Sequence, residues 1–265
     1  MVDTSKIAVI PMIIRFKQTA FSILSVIGLY YLWDPSYLIY TFIAYFLFSA
    51  IGHDIGLHRY WTHRSFVCKN KIAEGFIWVC AFLGGISDPI SYAKRHTWHH
   101  AHSDKEDDNL QPVKHPFLTW NGYGILKAKN VRHETSAIWP ELANSKFHQF
   151  VNRYYFILYY VTMAVCFIID FKLSFYTLVV GANIAHHVGS ANSVINHRYG
   201  YRNFNTDDHT TNNTIFNYLS FGLGLHNNHH KFPYSYTNKI KDNEIDPTAW
   251  MIKHIFASSV MEPKL

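Results

Sequence analysis

Two pairs of apolar stretches divide the chain. They are residues 18–33, 36–52, 154–169 and 173–195. Asp34-Pro35 separates the first pair and residues 170–172 separate the second, and both breaks are short enough to be turns. Because a helix needs about 20 apolar residues to cross a bilayer core of about 30 Å, the pattern predicts four transmembrane helices in two hairpins. A further apolar stretch, residues 75–87, is too short to span and favours a buried or interfacial helix.

The polar residues lie almost entirely outside the two predicted hairpins. Of the 24 Lys and Arg residues, Lys172 alone falls in the turns within the hairpins, which leaves 23 on the side of both termini. The positive-inside rule therefore predicts cytoplasmic termini and a cytosolic, helical cap formed by residues 54–153 and 197–265. No linker or repeat divides the sequence, so we expect one domain over residues 1–265 in an all-α membrane protein.

Composition agrees with this interpretation. Charged residues make up 16% of the chain, against about 25% in soluble domains. The net charge of +6 is explained by the predicted topology, and no nucleic-acid-binding motif accompanies it, so no nucleic-acid partner is expected. The three cysteines have no CxxC spacing and are predicted to be unpaired thiols.

Histidines carry the candidate chemistry. Of 18 in the chain, eight fall in three motifs, HRYWTH, HTWHH and HNNHH. These eight are His58, His63, His96, His99, His100, His226, His229 and His230. In a helix the three histidines of HxxHH share one face, whereas the HxxxxH pair lies about 140° apart and needs a helix end or a kink to converge.

Eight imidazoles suit two first-row metal ions with open coordination positions. Imidazole binds Zn, Cu, Fe and Ni, so the ligand type alone does not name the metal. A metal transporter is the main alternative from another class, but it predicts ligands inside the spans, and most of these histidines lie outside them. His115, His133, His148, His209 and His254 belong to no motif and are assigned no role.

The segments around the motifs resemble the three histidine boxes of membrane fatty acid desaturases, in the Δ9, stearoyl-CoA-like branch. They are GHDIGLHRYWTHRSF (52–66), RHTWHHAHSD (95–104) and GLHNNHHKFP (224–233), and the resemblance extends to GYRNF (200–204) and EIDPTAW (244–250). The resemblance implies two iron ions held by nine histidines, of which the ninth corresponds to His197. It also implies a bacterial-type enzyme that uses O₂ to convert a saturated acyl chain into a cis alkene, with Δ9 favoured.

Some positions depart from the family pattern. Ser193 replaces an Asn that reaches a metal through water, and either Asn192 or Asn196 is a candidate substitute. Tyr92 replaces a Trp before the second box, and Gly222-Leu223-Gly224 lacks a carboxylate found before the third. None of these changes removes a ligand.

Several other polar residues have open interpretations. Asp104 and Asp108 either orient box histidines through their second N–H group or are solvated loop acids. His53 and His102 are expected not to be ligands. His186 and His187 are expected to be neutral histidines of the membrane helix. Arg202 has either a structural role or a role at the acyl headgroup.

The reaction implies partners as well. The chain contains no flavin, haem or iron–sulfur motif, so electrons are expected from an external ferredoxin-like or cytochrome b5-like donor. The acyl substrate is carried by CoA, acyl carrier protein or lipid, and a hydroxylase with the same metal set remains the alternative within the enzyme class. A bacterial inner membrane is favoured over the endoplasmic reticulum.

Overall fold

The computed structural model describes residues 9–121 and 138–263. His133, which has no assigned role, lies outside the described residues. The longer helices are α1 (Val9–Leu32), α2 (Leu38–Phe46, continued by Leu47–Thr62), α3 (Lys71–Gly84), α4 (Pro89–His102) and α7 (Lys146–Ile169). The last long helical run joins α8 (Phe171–Ser174), Phe175–Gly181 and α9 (Ala182–Asn196). The short helices are α5 (Pro116–Trp120), α6 (Pro140–Ala143), α10 (Thr214–Leu219), α11 (His226–Lys231) and α12 (Pro247–Met251, continued by Ile252–Phe256).

Side-chain caps define where the helices begin. The Asp34 carboxylate accepts a hydrogen bond from the Ser36 backbone N–H at 3.0 Å, at the break between α1 and α2. Asn70 caps α3 and Asp88 caps α4 in the same way, at 2.8 and 2.9 Å. Such caps satisfy N–H groups that have no partner within the helix, so the Asp-Pro and Lys-Asn-Lys segments become sharp boundaries.

The long helices agree with the expectation of a membrane protein. Among the described residues, Pro35–Thr62 and Lys146–Ile169 are each long and apolar enough to cross a bilayer, and Lys71–Gly84 with Pro89–His102 could form a third span bent by 80°. Helices also cover the other two expected spans, but they do not meet the same criterion of length and hydropathy. The four-span count therefore stays a prediction.

Two boundaries differ from the expected ones. The second helix continues ten residues past Gly52 to Thr62, and α7 begins at Lys146, eight residues before the expected start at 154. Both extensions are polar and were assigned to the cap because charged residues interrupt the apolar pattern there. The first extension is buried against α3 and α4, whereas α7 begins at Lys146 because the Ser145 hydroxyl caps it by accepting from the His148 N–H at 3.3 Å.

Residues Leu47–Thr62 form a π-helix, in which hydrogen bonds run from residue i to i+5. The bond from the His63 N–H to the His58 carbonyl, 3.1 Å long, continues the same pattern. The wider turn brings residues five apart closer to one face than an α-helix does. The π-helix, together with the helix end at His63, therefore allows the side chains of His58 and His63 to converge.

The fold is mostly helical, but the all-α expectation needs one correction. Strands β1 (Phe66–Cys68) and β2 (Ala257–Val260) pair antiparallel, with Phe66 opposite Val260. These strands are three and four residues long, too short to produce a clear alternating pattern in the sequence. Their pairing attaches the C-terminal segment directly behind the first histidine box.

Candidate metal centre

All nine histidines singled out by the sequence meet in two clusters. In each cluster, one nitrogen from every ring lies within 4.8 Å of the others. The first cluster contains His58, His63, His96, His100 and His229, and the second contains His99, His197, His226 and His230. Helix α4 supplies rings to both clusters, because successive residues His99 and His100 point to different sides.

The first cluster is closely spaced. The Nε2 atom of His229 lies 3.0 Å from Nε2 of His58 and 3.0 Å from Nε2 of His100. The Nε2 atoms of His96 and His100 are also 3.0 Å apart. Two nitrogens bound to one ion at about 2.0–2.1 Å are separated by about 3 Å, so this spacing fits a shared metal.

In the second cluster the nitrogens that face one another have no partner. The Nε2 atoms of His99, His197, His226 and His230 are all buried without a hydrogen bond among the described residues, and so is Nε2 of His63 in the first cluster. A buried imidazole nitrogen without a partner is costly, and four of them at one point are best explained by a metal ion. Burial lowers the pKa of His226 well below its usual value and that of His230 to about 4, which favours the neutral, ligating form.

The two clusters adjoin. The rings of His100 and His230, which belong to different clusters, stack with centroids 4.3 Å apart. The centroids of His229 and His230 are 5.6 Å apart. Two ions at these positions would therefore be close neighbours within one centre.

Four carboxylates orient the rings. The Nδ1 atoms of His99 and His197 each lie 2.9 Å from a carboxylate, Asp108 and Asp104 respectively. The orienting role considered for these two acids is therefore the one the structure shows. Each Nδ1–H that donates to a carboxylate leaves the lone pair on Nε2, the nitrogen that faces its cluster.

Sequence reasoning missed the other two carboxylates. Asp54 lies 3.0 Å from Nδ1 of His58, and Asp208 lies 2.6 Å from Nδ1 of His230. The spacing of Asp54, four residues before His58 in a helical segment, was an available signal. Asp208 is separated from His230 by 22 residues, so no local pattern could reveal it.

The acid-bearing loops are themselves held in place. Asp104 has a left-handed backbone, with φ of 60°, a conformation that Asp tolerates better than most residues. The Arg202 guanidinium donates to the backbone carbonyls of Thr206, Asp208 and Thr210. Of the two roles considered for Arg202, this arrangement is structural, because it shapes the loop that carries Asp208. Burial raises the pKa of Asp208, but hydrogen bonds with His230, Thr206 and Thr210 outweigh it and hold that pKa far below the usual range.

The two asparagines inside HNNHH form the frame of the third box. Both are at most 1% exposed. The Asn212 side chain accepts hydrogen bonds from the N–H groups of Asn227 and Asn228, at 3.0 and 3.2 Å, and so caps α11. The Asn228 side chain donates to Glu244 at 3.0 Å, and Asn203 donates to the same carboxylate at 2.7 Å. GYRNF and EIDPTAW are thus parts of one hydrogen-bonded support for the third box.

The Asn pair of α9 lies beside the second cluster. The Asn192 amide is 3.5 Å from Nδ1 of His226, and the Asn196 amide donates to Asn192 at 2.5 Å. Asn192 therefore contacts the nitrogen of His226 that faces away from the cluster.

Four further histidines that the structure describes lie outside both clusters. His53 is 2.9 Å from the Tyr92 hydroxyl, and Tyr92 stacks on His96 with centroids 5.5 Å apart. His102 stacks on Trp98 and lies 3.0 Å from its carbonyl. His186 lies near the Gly84 carbonyl, and His187 accepts from the indole N–H of Trp120 at 3.0 Å. Each has a structural contact of its own, as expected for a residue that is not a ligand.

The fold and the site together define a mostly helical protein with two adjoining histidine clusters that are suited to binding metal ions. A family model described as "Fatty acid desaturase" matches residues 33–261. The chain belongs to the fatty acid desaturase family, whose members are oxidoreductases of lipid metabolism.

Individual relatives differ in substrate and in double-bond position. The chain is 31% identical to an sn-1 stearoyl-lipid 9-desaturase of Anabaena variabilis, over 79% of this chain and 76% of the relative. It is 28% identical to an acyl-CoA C20 Δ5-desaturase of Anemone leveillei, over 80% and 68%. It is 26% identical to a stearoyl-CoA desaturase of Capra hircus, over 77% of this chain and 60% of that longer protein.

Proposed function

We propose that this protein is an O₂-dependent fatty acyl desaturase that introduces a cis double bond, with Δ9 favoured, into a saturated chain carried by CoA or lipid. Two iron ions at the paired clusters would supply O₂ activation and the removal of hydrogen from two adjacent methylenes. The proposed ligands are His58, His63, His96, His99, His100, His197, His226, His229 and His230. The observation that carries the proposal is the convergence of buried, unpartnered Nε2 atoms in two adjoining clusters.

The chain's own residues set up this chemistry. Asp54, Asp104, Asp108 and Asp208 accept Nδ1–H hydrogen bonds and hold the ring lone pairs toward the clusters. His96 and His100 are only partly buried, whereas His58, His63 and His229 are buried. The acyl chain would therefore approach along α4, where the rings border an opening. Fixing two methylenes beside the centre is how the protein would select the bond.

The reaction needs two electrons beyond the two that the substrate supplies, because O₂ is reduced to two waters. An external ferredoxin-like or cytochrome b5-like donor would provide them at the cytosolic face. We propose one domain over residues 1–265, with four spans and both termini in the cytoplasm of a bacterial inner membrane. The two apolar helices and the stearoyl-lipid substrate named for the Anabaena relative support a membrane location.

The test is gas chromatography of fatty acids from cells that express the chain with a reductant system, with double-bond positions mapped. We expect an O₂-dependent cis-monounsaturated product that disappears when His197 or His230 is replaced by Ala. His254→Ala is the matched control, because His254 is exposed and belongs to neither cluster. Hydroxylated product without alkene would identify a hydroxylase, and no O₂-dependent acyl product would overturn the proposal.

Metal analysis is an independent readout. We expect two irons per chain in protein supplied with iron, and a lower content after loss of any one of the nine rings. Zinc forms more stable complexes than ferrous iron at nitrogen sites, so the host's metal supply must be controlled. Two irons bound by His197→Ala protein would contradict the assignment of His197.

A further inference from the structure

A cavity lies away from the histidine clusters, between the N-terminal turns of α3 and α7. Its volume is about 290 Å³, and Trp61, Trp78, Phe147 and His148 form much of its wall. This volume is at the lower end of small-molecule pockets. None of the nine clustered histidines borders it.

Gly75 borders this cavity and is exposed. It lies in the second turn of α3, in the interior of the helix, where Gly is less favourable than Ala. A Cβ atom at Gly75 would meet no atom within 4 Å, and the residue has no positive φ. Neither close packing nor backbone conformation therefore requires Gly at this position. A larger side chain at this position therefore has room to enter the cavity.

The rim carries one charge of each sign. The Lys71 ammonium lies 2.7 Å from the Glu74 carboxylate, and the Lys71 side chain is 92% exposed. An ion pair with so exposed a lysine is weak, so a ligand with both charges can replace it at little cost. His148 adds a further polar group, since it is 8% exposed and its Nδ1 atom has no hydrogen-bond partner among the described residues.

The surface around the cavity is apolar and exposed. Ile72 and Phe76 of α3 are 84% and 45% exposed, and Phe147 and Phe150 of α7 are 52% and 53% exposed. Apolar side chains on two adjacent helices, next to lysines at the helix starts, are typical of the boundary between lipid and water. In a bilayer, this cavity would therefore open toward the headgroup layer.

We propose that this cavity binds one zwitterionic phospholipid, with phosphatidylethanolamine as the preferred lipid. Lys71 takes the phosphate, and Glu74 accepts hydrogen bonds from the ammonium. Trp78, which is half-buried in this wall, adds a cation–π contact to the same ammonium. The upper part of the lipid fills the space beside Gly75. An anionic lipid such as phosphatidylglycerol has the phosphate but no ammonium to pair with Glu74.

The bound lipid contacts the helix of the first histidine box. Trp61, 5% exposed, lies in this wall and also between His58 and His63 in the sequence. The proposal depends on the membrane placement but not on the reaction, so failure of the desaturase assay leaves it standing.

The experiment measures lipid retained by the purified full chain in detergent, by native mass spectrometry after addition of phosphatidylethanolamine or phosphatidylglycerol. We expect one bound phosphatidylethanolamine, retained at least tenfold more tightly than phosphatidylglycerol. Gly75→Phe should fill the cavity and lower the retention of phosphatidylethanolamine at least tenfold. Ile72→Phe places the same side chain on the exposed surface of α3 and should retain it.

A second variant distinguishes a specific loss of lipid binding from misfolding. Glu74→Gln keeps the shape of the rim and should abolish the preference for phosphatidylethanolamine over phosphatidylglycerol. Equal retention of both lipids by the wild type, or an unchanged adduct in Gly75→Phe protein, overturns the proposal. A Glu74→Gln protein that keeps the wild-type preference overturns the assigned role of Glu74 and with it the zwitterionic selectivity.

Discussion

Arg59 is the most informative residue to replace outside the histidine clusters. It is 1% exposed and lies between two buried carboxylates, with N–O distances of 3.0 Å to Asp54 and 3.0 Å to Asp246. Asp54 also holds Nδ1 of His58, and Asp246 caps α12 through the Ala249 N–H. Arg59→Met would keep much of the side-chain volume but leave two buried carboxylates without their cation.

The expected cost follows from this burial. Removing one partner from a buried ion pair costs about 3–5 kcal/mol, because the remaining charge is uncompensated. For a chain of this size each kcal/mol lowers Tm by about 2–4 °C, so Arg59→Met should melt roughly 10 °C below the wild type. Asp246→Asn leaves the Arg59–Asp54 pair intact and should cost less.

Thermal unfolding in detergent, with metal content measured on the same samples, checks this reasoning. We expect Arg59→Met to lose metal as well as stability, because Asp54 then no longer holds His58 in a fixed position. Glu141→Gln is the control, since its partner Arg64 is 47% exposed and the change should stay within about 0.5 kcal/mol. If Arg59→Met melted within 2 °C of the wild type and kept its metal, the buried network would not support the first box as argued.

Two further substitutions test single contacts. Asp208→Asn should weaken metal binding at the second cluster by about 10- to 100-fold, because His230 loses its carboxylate partner; metal titration with a competing chelator measures this. Asn212→Ala should destabilise the protein by about 1–2 kcal/mol through the lost cap of α11, and a Tm equal to that of the wild type would contradict the role given to this side chain.

The spacing of the histidines predicted much of the centre. HxxHH places three rings on one helical face whatever the surrounding fold, so His96, His99 and His100 could be assigned from local geometry. The division of these rings between two clusters could not, because it depends on how α4 faces α11 and the end of α9. His197 was found through the family resemblance alone.

Other features depend on contacts between distant segments. The carboxylate partner of His230 is 22 residues away, and Glu244 supports Asn228 from 16 residues further along the chain. The π-helix at Leu47–Thr62 was not predicted because periodicity arguments assume 3.6 residues per turn. Asp54 and Arg153 interrupt the apolar pattern in the sequence, yet both lie within helices that extend beyond the expected spans.

The helix α7 contributes none of the nine clustered histidines, and only 17% of its most apolar window is buried in the protein. Its 24 residues extend over about 36 Å, somewhat more than a typical hydrocarbon core of about 30 Å. Substitutions on its lipid-facing side can therefore follow changes in bilayer thickness or fluidity while the metal-binding geometry stays the same. Adaptation of such an enzyme to a colder or warmer membrane should accumulate on this helix first.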